Sequence, residues 1–443
     1  MPLSYAGKAY ALLERYNVED YDLVKIITEK GEIVGRIMPR PSIFDDEHVI
    51  IKLPNGYNIG VNIGKISEIK VLEKAYQREE AIPEVEFREN LPYIPFIVTG
   101  GTISSRVDYR TGAVRAYEKP EELLDLIPEL ADIANIKYKP IFAEFSENLT
   151  PSHWKKMAER ASEELNSGAR GVVIAHGTDT MHYSAAALSF MLMNLRKPVV
   201  FVGSQRSIDR PSTDAVLNLI AAVKVAAQSD IGEVVITMHG SPSDEFAWVL
   251  RGVKARKMHT SRRDAFIPVN SPPIAKVTRE KIEIMSKYRK ADESSRVEFD
   301  GRIDERVFLL YTWPGMSPDI IESIRSLGYR GLVIAGTGLG HTPSRIIPSI
   351  ERLVRDGVPV VMTSQTIFGR VNLRVYETGR LLLKAGVIPG EDMLPEVALV
   401  KLMFVLGHCN EMECIREMML RNIAGEISSS ISMRDFPPCW VMR

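Results

Sequence analysis

Cysteine is nearly missing from this chain: 443 residues hold only Cys409, Cys414 and Cys439. Thiols so few and so clustered exclude a disulfide framework and fit a reducing cytosol. Cys409 and Cys414 have no second ligand pair at zinc-site spacing, so a buried thiol and a bystander are expected there, and no metal. Neither sign of charge prevails, with 56 Lys and Arg against 57 Asp and Glu. That balance excludes a generally basic nucleic-acid binder, although a local basic patch remains compatible with it. No apolar run reaches the roughly eighteen residues of a membrane span. The opening "MPLSYAGKAYALLERYNVEDYD" has no basic stretch followed by an apolar one, so no signal peptide is expected and the location is expected to be cytoplasmic, away from membranes. A G-x-x-x-x-G-K-[ST] phosphate loop is also absent, as is any repeat of fixed period.

What is present divides by grammar. Residues 1–75 carry short β-rich runs broken by turn signals such as Lys30-Gly31 and Pro54-Asn55-Gly56, which predict a small antiparallel barrel of the SH3-like or Sm-like kind. A polar, Pro-bearing linker follows over 76–95. From Phe96, near-continuous apolar strands such as "PFIVTGG", "GVVIAHG" and "PVVFVGSQ" alternate with helical segments such as "DAVLNLIAAVKVAAQ", predicted to be capped by Ser212 or Thr213. That pattern predicts an α/β fold with a mostly parallel sheet covered on both faces. A larger lobe is expected over 96–270 and a smaller one over 307–430. Between them, 271–306 reads as a charged interlobe connection, since 16 of the 28 residues from Arg279 to Arg306 are charged.

Two stretches stand where ligands bind in open α/β sheets, beyond the carboxyl ends of strands. "FIVTGGTISS" offers Gly101 and Thr102; "VVIAHGTDTMHYSAAALSF" offers Gly177, Thr178 and Asp179. Glycines admit close approach, and loop amides there face an anion or a developing oxyanion. Taken singly, either motif reads first as a turn or helix cap, with Thr178, Asp179 or Thr180 as N-cap of the following helix. "FAEFSENLTPSHW" adds Ser146, Glu147 and Asn148, which suit the charged head of an amino acid, and Thr150 before Pro151 as a helix cap. "RGVKARKMHTSRRDAF" carries six basic residues from Arg251 to Arg263 and no acid. It reads as a solvated face, a nucleic-acid footprint, or the source of one desolvated lysine beside a threonine. The run itself does not select that lysine. "GTGLGH" at 336–341 lacks the third glycine of a dinucleotide fingerprint.

Together T-G-G-T-I at 99–103, H-G-T-D-T at 176–180 and a lysine nine residues before Phe266 resemble the bacterial-type L-asparaginase family, in order and over about 96–425. With the N-terminal β-rich region added, the chain is similar to archaeal glutamyl-tRNA(Gln) amidotransferase D subunits; ordinary asparaginases lack that extension. The resemblance implies an asparaginase-like two-lobed fold with Thr102 as primary nucleophile, Thr178 as second threonine, and Asp179 on the substrate's α-amino group. It implies Lys257 as the catalytic lysine, with Lys254 as the fallback, Ser146 on the α-carboxylate and Glu147 near the α-amino group. Gly101 and Gly177 flank the substrate. It further implies glutamine as amido donor and ammonia passed to the amidotransferase's E subunit, which turns Glu-tRNA(Gln) into Gln-tRNA(Gln). ATP and magnesium belong to that partner, no cofactor to this chain, and a homodimer core within a heterotetramer is expected. Two positions depart from the family: Ala113, with Tyr109 nearby, stands where many members place a lid tyrosine, and Leu339 where an asparagine often reaches the neighbouring protomer. The alternative is a free-standing L-asparaginase; an inactive scaffold is opposed by the intact Thr102, Thr178, Asp179 and Lys257.

Overall fold

The computed structural model describes residues 4–39, 45–53, 58–74, 87–100, 105–108, 113–116, 127–206, 213–292 and 294–432. Five strands come first: β1 Leu23–Thr28, β2 Gly31–Ile37, β3 His48–Lys52, β4 Asn58–Asn62 and β5 Ile66–Glu73, in the order β4-β3-β2-β1-β5. All four ladders are antiparallel. Alternation drives this: Val24 and Ile26 of β1 point into a core shared with Ile37, Val49 and Ile51. The helix Gly7–Arg15 closes that core with Ala9 and Leu13.

The larger lobe is built on an eight-stranded sheet. Its parallel part comprises β6 Tyr93–Val98, β9 Asn135–Pro140, β10 Val172–Ala175, β12 Val199–Val202 and β13 Val234–His239. Two short strands, β7 Ser105–Asp108 and β8 Ala113–Ala116, pair with each other between β6 and β9, so Ala113 opens a strand; β11 Leu192–Met193 stands outside the sheet. Tyr109 lies outside the described residues. Alternate residues of β10 feed different cores. Val172 and Ile174 meet the helices Pro151–Asn166 and Met181–Met191, whereas Val173 and Ala175 lie beneath the helix Ala215–Gln228. Burial on both faces explains why such strands read as unbroken apolar runs.

Beyond β13 the sheet turns antiparallel through β14 Ala247–Arg251. A two-stranded ribbon follows, β15 Ala255–Lys257 with β16 Phe266–Pro268. The region 271–306, expected as a charged interlobe connection, also carries short strands. There β17 Ala275–Val277 and β18 Ile282–Ile284 extend the large sheet to its edge, and β19 Glu298–Phe299 pairs with β11. Strands of two or three residues at an edge carry their charges outward, so they leave no apolar run to recognise.

The smaller lobe has a four-stranded parallel sheet, β20 Val307–Tyr311, β21 Gly331–Gly336, β22 Val360–Ser364 and β23 Ile388–Pro389, in chain order. The helix Pro395–Leu406 is buried on nearly every face, packing on β21 and on the larger lobe's Met181–Met191 helix. Phe404 stacks on Phe190 across that junction with ring centroids 6.1 Å apart. Just beyond it, Cys409 and Cys414 form a disulfide. That overturns the reading of a buried thiol and a bystander: the turn after Leu406 brings their Cα atoms to 5.7 Å. Cys439 lies outside the described residues.

Candidate active site

The site grows from the carboxyl ends of two neighbouring strands, β6 and β10. Thr99, one residue past β6, donates through both its N–H (3.1 Å) and its hydroxyl (2.9 Å) to the carbonyl of Ala175, the last residue of β10. The two loops therefore leave the sheet already tied together. Gly100 follows at φ +110°, and a Cβ there would meet the Glu144 carbonyl at 2.4 Å, so only glycine lets the 144–148 segment close over this turn. The same closeness holds at Gly177, where a Cβ would come within 2.9 Å of Ser146 Oγ. Gly101 and Thr102 lie outside the described residues.

After β10 the chain runs His176-Gly177-Thr178-Asp179-Thr180 into the helix at Met181. His176 is wholly buried. Its Nδ1 lies 2.6 Å from the Gly177 carbonyl, which only accepts, so Nδ1 carries the hydrogen and Nε2 accepts from the Ser184 hydroxyl at 2.9 Å. Burial pulls its pKa down to about 4, which keeps the ring neutral. A rigid, uncharged imidazole thus sets the turn from beneath.

Thr180 takes the N-cap position without capping through its side chain; its hydroxyl donates to the Ser146 carbonyl at 2.7 Å. Nor do Thr178 and Asp179 cap. Lys257 reaches across from β15, and its Nζ donates to Thr178 Oγ1 at 2.9 Å and to Asp179 Oδ1 at 2.6 Å. The Lys257 side chain is 9% exposed, the Asp179 side chain 68%. A nearly enclosed ammonium thus joins a buried hydroxyl to a carboxylate open to an incoming ligand. Ser146 is buried against this turn and Glu147 is exposed beside it. The fallback Lys254 is no part of the group: it is buried, 1% exposed, and bonded to Asp392 at 2.7 Å. Of the expected helix caps, Thr150 is the N-cap before Pro151, whereas the helix Ala215–Gln228 has Asp214 at its N-cap and Thr213, one residue earlier, accepts only from Ala215 N–H at 3.1 Å. Ser212 lies outside the described residues.

Residues 93–290 match the family described as Asparaginase, N-terminal, residues 306–419 the Glutaminase/Asparaginase C-terminal domain, and residues 18–72 the GatD N-terminal domain. The glutamyl-tRNA(Gln) amidotransferase D subunit of Pyrococcus furiosus is 54% identical over 424 residues, covering 94% of this chain and 96% of that protein. The chain belongs to the family of glutamyl-tRNA(Gln) amidotransferase D subunits. The D subunit of Sulfolobus acidocaldarius is 48% identical, covering 99% of this chain and 98% of its own length. Among solved structures, the thermostable L-asparaginase of Thermococcus kodakarensis superposes with a TM-score of 0.69 at 34% identity, covering all of that enzyme but 76% of this chain. This D-type chain thus carries a complete asparaginase-like fold with a small antiparallel β region before it.

Sequence reasoning missed what stands behind Thr178, Asp179 and Lys257. Thr99 and His176 stand inside the quoted motifs, so their positions were visible though their bonds were not. His182, Arg256 and Glu396 were not singled out at all. His182 follows Asp179 closely on the helix, and burial together with the nearby Arg256 pulls its pKa down to about 3. Glu396 is buried in the first turn of the helix Pro395–Leu406, and that burial pushes its carboxyl up against the opposing pull of Arg256. Their relevance depends on a contact between lobes, which no local pattern announces.

Proposed function

We propose that this chain is the glutaminase component of a tRNA-dependent amidotransferase, releasing ammonia from glutamine so that Glu-tRNA(Gln) becomes Gln-tRNA(Gln). One observation carries the chemical part: Lys257 bridging Thr178 and Asp179 at the end of β10, in a chain of the amidotransferase D-type family. A threonine hydroxyl is a weak nucleophile at neutral pH and needs a partner for its proton. In this reading Thr102 adds to the side-chain amide carbonyl of glutamine. Backbone N–H groups of the two glycine turns, at Gly101 and Gly177, stabilise the oxyanion by about 3 kcal/mol per donor. The C–N bond breaks and ammonia leaves with the transferred proton. Water then attacks the ester, glutamate departs, and the Thr102 hydroxyl is restored. Thr178, Lys257 and Asp179 move the protons, while Ser146, Glu147 and Asp179 hold the amino-acid head.

A member of a family of amidotransferase subunits works within a larger complex. The partner is proposed to be the amidotransferase's E subunit, which holds most of the tRNA and uses ATP and magnesium; no cofactor is assigned to this chain. A nearly neutral net charge of −1 suits that division of labour. A homodimer core in a heterotetramer, in the cytoplasm, completes the proposal; among the described residues no helix is long and apolar enough to cross a membrane. A free-standing L-asparaginase is not favoured, because the relatives that match nearly end to end are amidotransferase D subunits. The experiment is ammonia release from glutamine and from asparagine, with and without the proposed partner and Glu-tRNA(Gln). Release from glutamine that rises with partner and tRNA and vanishes in Thr102→Ala is expected. Rapid release from asparagine, indifferent to any partner, would refute the assignment.

A further inference from the structure

The ribbon carrying Lys257 is slight: three residues of β15 paired with three of β16, outside the large sheet. It is anchored from elsewhere. Lys254, three residues before Lys257, is bonded to Asp392, and Arg256 Nε lies 3.5 Å from Glu396 Oε1. Both acids stand where the chain enters the helix Pro395–Leu406 of the smaller lobe. The same Glu396 oxygen lies 3.8 Å from His182 Nε2. His182 is the second residue of the helix that begins directly after Thr178, Asp179 and Thr180. One carboxylate from the smaller lobe therefore stands behind both halves of the relay.

An acid in the first turn of a helix has an ordinary use, complementing the helix dipole. Two observations exceed it. The Glu396 side chain is 1% exposed and faces the Arg256 guanidinium and the neutral His182 imidazole of the other lobe. Moreover Glu396 Oε1, Arg256 Nη1 and His182 Nδ1 make no hydrogen bond among the described residues. A buried ion pair with unmade hydrogen bonds is a poor stabiliser, because desolvation offsets the attraction. What it does supply is a fixed reference point, held by charge to Arg256 and by close contact to the neutral His182, for two segments that must meet.

We propose that Glu396 is a positioning residue of the hydrolytic site: through Arg256 it sets the ribbon bearing Lys257, and through His182 the turn bearing Thr178 and Asp179. It touches neither substrate nor relay. This inference rests on the glutaminase reading above, since it assigns Glu396 to that reaction.

The test reads ammonia release from L-glutamine by the assembled amidotransferase, comparing wild type, Lys257→Ala, Glu396→Gln, Arg256→Gln and the double variant Glu396→Gln with Arg256→Gln. Displacing a catalytic group by an ångström costs up to about 100-fold, so Glu396→Gln is expected to lower kcat roughly 10- to 100-fold with KM for glutamine nearly unchanged. The double variant is expected to lose no more than the worse single one, because both substitutions break the same link. Losses that multiply in the double variant, or a wild-type kcat in Glu396→Gln, overturn the role. Should Glu396→Gln fail to fold, Arg256→Gln carries the same test: reduced kcat at constant KM supports the role, and wild-type kcat overturns it. A wild type that releases no ammonia refutes the glutaminase reading and the positioning role with it. An active wild type, an inactive Lys257→Ala and a fully active Glu396→Gln refute the positioning role alone.

Discussion

Lys254 and Lys257 stand three residues apart in one basic run, and the fold gives them opposite fates. Lys254 ends in a closed pair with Asp392, whose other oxygen accepts from Ser428 N–H at 2.9 Å. Burial pushes the Lys254 ammonium pKa down while the Asp392 carboxylate opposes the shift. Lys257 ends between a buried hydroxyl and a carboxylate that is two-thirds exposed. A charge whose partner is sealed contributes to the fold; a charge whose partner faces solvent is available to a ligand. The difference lies in the partners, not in the lysines.

Removing each amine should separate the two roles. Lys257→Ala breaks the relay and leaves Asp179 solvated, so ammonia release from glutamine should fall at least about 1000-fold, or about 4 kcal/mol. Its melting temperature should stay near that of wild type, because an ion pair whose carboxylate is open to water contributes about 1 kcal/mol or less. A large loss of stability in this variant would erase the contrast. Lys254→Ala should do the reverse. It strips the buried Asp392 carboxylate of its 2.7 Å partner and leaves Arg370, 3.7 Å away, as its nearest cation, at a cost of about 3 kcal/mol. Denaturant unfolding should therefore show the loss, while the fraction still folded keeps its specific activity. Wild-type stability would mean that Arg370 alone satisfies Asp392.

Which lysine is which could not be read from the basic run. The choice of Lys257 came through the family's spacing to Phe266, which the structure shows as the ladder pair Lys257↔Phe266 in β15 and β16. The sealing of Lys254 depends on Asp392, 138 residues away. Other features were legible because they are local. The apolar runs of β6, β10 and β12 announced a buried parallel sheet, and H-G-T-D-T announced a turn at its rim. The strands β17 and β18 were hidden, since each is three residues long and its one charged residue, Lys276 or Glu283, leaves no apolar run. Glu396 was hidden because an acid at a helix start looks ordinary wherever it occurs.

Acid should act on the sealed side of the site before it acts on the exposed side. Burial holds His176 at about 4, and burial with the nearby Arg256 holds His182 at about 3. The unfolded chain binds protons at both near pH 6.5. Below that value the unfolded state gains protons that the folded state refuses, so stability falls as pH falls. At pH 5 the loss should be roughly 2 kcal/mol for each imidazole. Thermal melts at pH 7.5 and pH 5 at fixed ionic strength would show it. A flat melting temperature would mean that the two rings protonate in place and are less enclosed than the lysine they stand behind.

Farther along the same run, Arg262 offers a third case that sharpens the contrast between sealed and open charges. Its Nε and Nη2 donate to both oxygens of Asp264, at 2.8 and 2.7 Å, in the fork geometry that suits carboxylates. Good geometry alone would suggest a strong contribution, but the arginine side chain is 53% exposed. Water and salt screen such a pair, leaving about 1 kcal/mol at most. Arg262→Ala should therefore move the melting temperature by only a degree or so, and kcat for ammonia release by less than about twofold. Asp264 stands two residues before Phe266, which pairs with Lys257, so a tenfold fall in kcat would show that this pair helps to set the ribbon. In that event exposure would cease to separate structural from working charges along 251–263, and the sealing of Lys254 would no longer explain why Lys257 alone reaches the threonine.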